Sequence, residues 1–226
     1  MLFAWMLPAV SVPVGEQKSF LEESQFSINI AGKEVGREKF AIRTSAEKVS
    51  SSSILEFQEG GKKGHKMKIE TQLTADAQFV PKAYQLKTDI DGQKGLIQGT
   101  FTPSEAMFEI SGSGAPRKSG MLVGDHYQIL DSNVFHHYVF IARAFDLNGN
   151  EKPQSFEVVV PQELDSGVLK VSNAGVEKIS LHGKMKELNH LKADSGELKI
   201  DMWVDGQKIL HKIAIPAKKI EIIRVD

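Results

Sequence analysis

The sequence predicts a mainly β protein: one large curved antiparallel sheet, a half-barrel or open barrel, wrapped around one buried helix. Three observations lead there. Apolar and polar residues alternate in many short runs, the period-2 pattern of strands with one buried face. Asp91-Gly92 and Asp205-Gly206 fall between such runs, where tight hairpins call for positive φ. Only one long segment, Asp131 to Gly149, carries helical spacing with no glycine or proline inside it.

In chain order, Phe26, Ile28 and Ile30 alternate on a first strand, and Ala31-Gly32-Lys33 turns the chain. Glu38, Phe40 and Ile42 share a face of the return strand. Lys48 to Phe57, with four consecutive serines, makes a strand with a polar rim, and Glu59-Gly60-Gly61 turns it back. Met67, Ile69, Thr71 and Leu73 alternate next. Tyr84 to Ile90 and Leu96 to Phe101 flank the Asp91-Gly92 turn, and Ala106, Phe108 and Ile110 follow Pro103. Ser111 to Gly120 is expected to be a mobile loop. It lacks the spacing and the lysine of a phosphate loop. After the helix, strands are expected around Phe156 to Val160, Val168 to Val171, Val176 to Leu181, Leu198 to Val204, Ile209 to Ile215 and Ile220 to Val225, with a solvated loop at Gly183 to Asp194. About a dozen strands result by these criteria. A sheet that large curls or closes, and its concave apolar face then needs a cover.

The helix supplies one. It is expected over residues 132–146, capped by Asp131 or Ser132 and ended by Asn148-Gly149. Val134, Tyr138, Ile141 and Phe145 form one apolar row, and Phe135, Val139 and Ala142 a second. A helix apolar nearly all round belongs inside. It is either the plug of a packed core or the lid of a hydrophobic cavity. Arg143, the only charge between Asp131 and Asp146, either snorkels at the helix edge or offers a counter-charge to an acidic headgroup.

Composition narrows the function classes. The 226 residues carry a net charge of -1, which gives no field to attract nucleic acid. No cysteine is present, which removes disulfides, thiolate metal sites and a cysteine nucleophile. Met1 to Val14 is apolar, with Ala9 and Ser11 as small residues at a cleavage site, so residues 1–16 are expected to be a signal-peptide remnant or apolar tail. Residues 17–226 then form one β-rich domain, exported to the periplasm or cell envelope. No other segment is apolar enough to span a bilayer.

Asp125, His126, His136 and His137 are zinc-ligand types close in sequence. Adjacent helical histidines point about 100° apart, however, so His136 and His137 do not share a metal readily. No serine stands in a G-x-S-x-G context. His211 is expected as a satisfied core histidine. The lysines around one hairpin, Lys62, Lys63, Lys66 and Lys68, fit a solvated face.

The opening hairpin with Gly32, Gly36 and Phe40, the LDSNVFHHYVFIARAFD entry followed by FEVVVPQE, and the ending MWVDGQKILHKIAIPAKKIEIIRVD carry a resemblance. From Phe26 onward the chain resembles uncharacterised exported bacterial proteins, themselves similar to the lipoprotein-carrier (lipoprotein localisation factor-like) half-barrels. The resemblance implies a curved sheet around a helix and a cavity that in the carriers holds acyl chains.

The expectation is a non-enzymatic protein that binds a lipid-like ligand between helix and sheet. Phe135, Tyr138, Phe145 and Arg143 from the helix, and Phe40, Phe108 and Trp203 from strands, are the candidate lining. No catalytic residue, metal or cofactor is expected. A structural or protein-interaction module of the envelope with a filled core is the alternative, and a hydrolase or metal enzyme around Asp125, His126 and His136 the third.

Overall fold

The computed structural model describes residues 20–58, 64–149 and 152–225. The expectations for residues 1–16, for the Glu59 to Gly61 turn and for Lys62 and Lys63 lie outside them.

Among the described residues, fifteen strands form one sheet. In chain order they are β1 (Phe20–Ile30), β2 (Lys33–Thr44), β3 (Lys48–Gln58), β4 (Lys66–Asp76), β5 (Pro81–Ile90), β6 (Gln93–Phe101), β7 (Glu105–Ser111), β8 (Arg117–Leu122), β9 (Tyr127–Ile129), β10 (Gln154–Val160), β11 (Asp165–Leu181), β12 (Lys184–Asp194), β13 (Lys199–Val204), β14 (Leu210–Ile215) and β15 (Ile220–Arg224). Their spatial order is β8-β7-β6-β5-β4-β3-β2-β1-β15-β14-β13-β12-β11-β10-β9. The sheet is thus two antiparallel meanders joined where β1 meets β15. Only β9 and β10 pair in parallel. To reach β9, the chain crosses from one edge of the sheet to the other. The edges approach each other there: the Tyr127 hydroxyl donates to the Thr102 carbonyl at 3.0 Å, and the Phe101 and Tyr127 rings lie 6.1 Å apart. The result is an open barrel.

Strand alternation decides what faces inward. Phe26 and Ile28 of β1, Phe40 and Ile42 of β2, Val49 and Leu55 of β3, and Ile69 and Leu73 of β4 are all buried in one core. The turns follow local chemistry. Ala31 and Gly32 have φ of 49° and 78°, and Asp91 and Gly92 of 51° and 89°, as two-residue hairpins require. Asp205-Gly206 is not such a turn. There the Asp205 carboxylate accepts the backbone N–H groups of Gln207 and Ile209, making a longer loop in which Lys208 takes the positive φ.

Three further expectations change. Arg117 to Leu122 is strand β8, so the loop after β7 is shorter than 111–120. Lys184 to Asp194 is strand β12, because His182-Gly183 makes a tight turn with φ of 51° and 74°. The helix α1 spans only His137–Ala144. Residues 131–136 are turns, and Phe145 is already extended. Asp131 and Ser132 therefore do not cap α1, and Asn148-Gly149 does not end it. The Gln154 side chain instead accepts from the Asp146 N–H and donates to its carbonyl just beyond the helix.

Candidate functional site

The interior that receives α1 contains charge. Glu38, on the inner face of β2, is fully buried. Its Oε2 accepts the N–H groups of Phe135 (2.9 Å) and His136 (3.1 Å), and its Oε1 lies 2.7 Å from Nδ1 of His136. The carboxylate thus anchors the two residues that lead into α1 and places a negative charge near the positive end of its dipole. His136 Nε2 lies 3.3 Å from the Ser51 hydroxyl. With Nδ1–H donating to Glu38, Nε2 accepts from Ser51.

This is the bonding order of a serine, a base and an orienting carboxylate. Its surroundings differ from those of a catalytic set. Glu38 and His136 are 0% exposed and Ser51 is 6% exposed, with the hydroxyl turned into the core. The arrangement seats the helix on β2 and β3.

His137 is equally buried. Its Nδ1 accepts the Asp131 N–H at 3.1 Å, and burial holds the ring well below the usual histidine range and hence neutral. The proton then sits on Nε2, which has no hydrogen-bond partner. Asp131 is a third buried group. It accepts the Tyr84 hydroxyl (2.9 Å) and the N–H groups of Ser132 and Gln162 (3.0 Å each).

At the helix-entry end of the barrel lies an open cleft of about 590 Å³. The Leu130–Phe135 segment and Tyr138 form one wall, and β10, β11 and the strand ends around Leu198, Ile215 and Ile220 form the rest. Tyr138, Val160, Leu198 and Ile220 are partly exposed apolar residues of its lining, and Val134, Val158, Leu169 and Ile200 lie buried beneath. Asp131, Glu163, Asp165, Glu197 and Lys218 supply the charged groups at its margin. Gly167 shares the inner face of β11 with Leu169, and a Cβ added to it meets nothing within 4 Å.

Of the seven residues expected to line a ligand site, Phe135 and Tyr138 border this cleft. Tyr138 is half-buried, and burial raises its pKa well above the usual tyrosine value. Phe40 packs against Phe26 with centroids 4.9 Å apart and stacks near His136 at 5.8 Å. Phe108 meets Phe101 edge-on at 5.8 Å, and Phe145 is 2% exposed. These three belong to the packed core.

Arg143 stands away from the cleft. Its guanidinium pairs with Glu22 of β1, which also binds Arg224 at 2.8 Å. Burial lowers the Arg143 pKa, and the Glu22 carboxylate opposes that. Arg143 thus ties the end of α1 to the strand beneath it.

Trp203 lies on the other side of the sheet. Ile200, Met202 and Val204 face the main core, so alternation turns Trp203 outward. There the distal part of the β11–β12 hairpin folds back over it. Trp203 stacks on His190 with centroids 4.7 Å apart, lies under Lys212, and donates its indole N–H to Glu177 at 2.9 Å. Leu181, Leu188 and Ala214 complete this small second cluster. The hairpin tip is held by His182, whose Nε2 donates to the Arg224 carbonyl at 2.7 Å.

Asp125 and His126 are exposed before β9, whereas His136 is in the core, so the structure does not bring these metal-ligand types together. His211 is half-buried at the end of β14, 3.2 Å from Asp205. A groove of about 1190 Å³ runs along the hairpin ends from Ile30 to Asp91.

The architecture has a counterpart among solved structures. A β-barrel-like protein of the domain of unknown function DUF1849 from Brucella abortus superposes with a TM-score of 0.58. The fold is β-barrel-like. The match covers 93% of this chain and 96% of the other at 10% identity, which speaks to fold alone. A DUF1089 family protein from Pseudomonas aeruginosa superposes with a TM-score of 0.47 at 10% identity, covering 95% and 98% of the two chains. No family model and no curated protein matches the sequence. Among the described residues, no helix is long and apolar enough to cross a membrane.

Sequence reasoning passed over Glu38, Ser51 and Tyr84. Glu38 carried a signal, because it shares an alternating face with Phe40 and Ile42. A carboxylate on a buried face requires partners.

Proposed function

We propose that the protein binds a small apolar, lipid-like molecule in the cleft at the helix-entry end of the barrel. One observation supports this reading: a cleft of about 590 Å³ with mixed polar and apolar walls, bordered by Phe135 and Tyr138. Ligand sites usually enclose roughly 300–1,000 Å³, with mostly apolar walls and a few placed polar groups. The apolar body of the ligand lies along Tyr138, Val160, Leu198 and Ile220, and its polar end meets the marginal carboxylates and Lys218. Arg143 is committed to Glu22 and takes no part. On this reading the cleft would serve as the acyl-chain cavity does in the lipoprotein carriers, to which the exported proteins that the sequence resembles are distantly similar. The apolar run of residues 1–14 supports export to the cell envelope, which N-terminal sequencing of protein recovered from a periplasmic fraction tests.

Titration with the uncharged fluorescent probe N-phenyl-1-naphthylamine tests the binding site. Saturable binding to the wild type, weakened roughly tenfold or more by Gly167→Phe, a change of about 1.4 kcal/mol, supports it. Equal binding by both proteins refutes it.

A second reading, a structural or interaction module, is favoured by the interior beneath α1, where Phe26, Phe40, Phe140 and the two histidines pack ring against ring. A protein that binds no apolar probe and carries no ligand through native mass spectrometry supports this second reading.

A further inference from the structure

We propose that Asp131 is a pH-operated latch on the cleft, holding its walls together in acid and releasing them at neutral pH. This rests on the cleft being the binding site. Asp131 stands between β9 and α1, at the start of one cleft wall. One carboxyl oxygen accepts the Ser132 N–H from that wall and the Gln162 N–H from the turn joining β10 to β11, both at 3.0 Å. The other accepts the Tyr84 hydroxyl of β5 at 2.9 Å. The Gln162 amide also donates to the Ser132 carbonyl, and the Ser132 hydroxyl donates to Glu163. A single carboxyl therefore joins three elements, and Asp131 is only 3% exposed.

The groups around it are not cations paired to it. Tyr84 faces it from β5, and Glu163 lies behind Ser132 on the turn. From α1, His137 accepts the Asp131 N–H and is neutral, with His136 and Glu38 behind it. Asp165, Glu197 and Lys218 stand further along the cleft. Burial thus acts on the carboxylate without an adjacent counter-charge and raises its pKa from 3.8 to about 6, against the hydrogen bonding from Gln162 (backbone and side chain), Tyr84 and Ser132 that favours the anion.

The sign follows from linkage. In the closed cleft the carboxyl holds its proton more tightly than it does in water, so protons favour the closed form. Once neutral, the carboxyl keeps all three contacts: its carbonyl oxygen still accepts both N–H groups, and its O–H donates to Tyr84, whose hydroxyl turns round. Above pH 6 the buried anion gains by reaching water, so the walls part more readily. The two pKa values limit the shift in the closed-to-open ratio to roughly a hundredfold.

The test uses the full chain. Backbone amide NMR signals of Ser132 and Gln162 are followed from pH 4 to 8 without ligand. Release of N-phenyl-1-naphthylamine is timed by stopped flow at pH 5 and 7.5. The expected result is a common midpoint near 6 for the two amides and probe release about tenfold or more faster at pH 7.5. Asp131→Asn, which keeps the same acceptor and donor pattern without a charge, releases slowly at both pH values. Tyr84→Phe retains the carboxyl but lacks one stabilising donor, and its midpoint moves upward. Amide midpoints near 4, or release independent of pH in a wild type that binds the probe, overturn the latch. Failure of the probe to bind refutes the proposed function instead, and the amide midpoints then decide the latch alone.

Discussion

The Glu38 carboxylate and the His136 ring, 98 residues apart in sequence, meet in the interior at 2.7 Å. Neither is exposed to solvent. The contact fixes where α1 enters the barrel, because the same carboxylate also holds the Phe135 and His136 N–H groups. Glu38→Ala leaves two backbone donors and an imidazole unpaired, so it is expected to destabilise the protein by about 3–5 kcal/mol. Glu38→Gln still accepts both N–H groups and donates to His136 Nδ1, so its loss is smaller. Urea unfolding of both variants checks the order.

Ser51, His136 and Glu38 have the bonding order of a hydrolase triad, but they are enclosed. A fluorophosphonate probe is expected to leave Ser51 unlabelled in the native protein. Ser51→Ala is expected to lower stability by about 1 kcal/mol, the loss of one hydrogen bond. Mass spectrometry locating a stoichiometric adduct on Ser51 contradicts the structural role given to it here.

His137 makes stability depend on pH. Its folded pKa lies well below 6.5, so the unfolded chain binds a proton there that the folded chain does not. Its contribution is complete above pH 6.5 and is lost as pH falls below it, by up to about 1.4 kcal/mol per pH unit. Asp131 acts in the opposite sense between pH 3.8 and about 6, where the folded chain binds the extra proton. His137→Gln is therefore expected to show a weaker loss of stability between pH 7 and 6, measured by urea unfolding at each pH.

Trp203 pins the outer hairpin. Trp203→Ala removes the platform beneath His190 and the acceptor role of Glu177. Amide hydrogen exchange over residues 176–189 is expected to accelerate while β3 to β5 keep their protection. Uniform acceleration over the whole sheet contradicts a local role for this small cluster.

Much of the fold was legible because its signals are local. Alternation marked Phe26 to Ile30 and Met67 to Leu73 as half-buried strands, and Ala31-Gly32 and Asp91-Gly92 carried the chemistry of their turns. The extent of α1 was less legible. Asp131 and Ser132 look like caps in the sequence, but the helix starts later, at a turn held by Glu38, a partner that only the fold brings near. Strand β12 was hidden because Lys184, Lys186 and Glu187 lie on an arm whose outer side meets water. The candidate site was only partly legible. Phe135 and Tyr138 border the cleft, but apolarity alone does not separate a residue that lines a cleft from one that fills a core. Phe108 and Phe145 are of the second kind. Trp203 is a different case: the alternation of Ile200, Met202 and Val204 already turned it away from the helix.

Binding at the helix-entry cleft is most directly tested by comparing N-phenyl-1-naphthylamine titrations of the wild type and Gly167→Phe. The substitution enters open space on the cleft side of β11. The expected result is saturable wild-type binding at one site and affinity roughly tenfold or more weaker in a variant of unchanged stability, a loss of about 1.4 kcal/mol. Undiminished binding by Gly167→Phe, or none by the wild type, contradicts it.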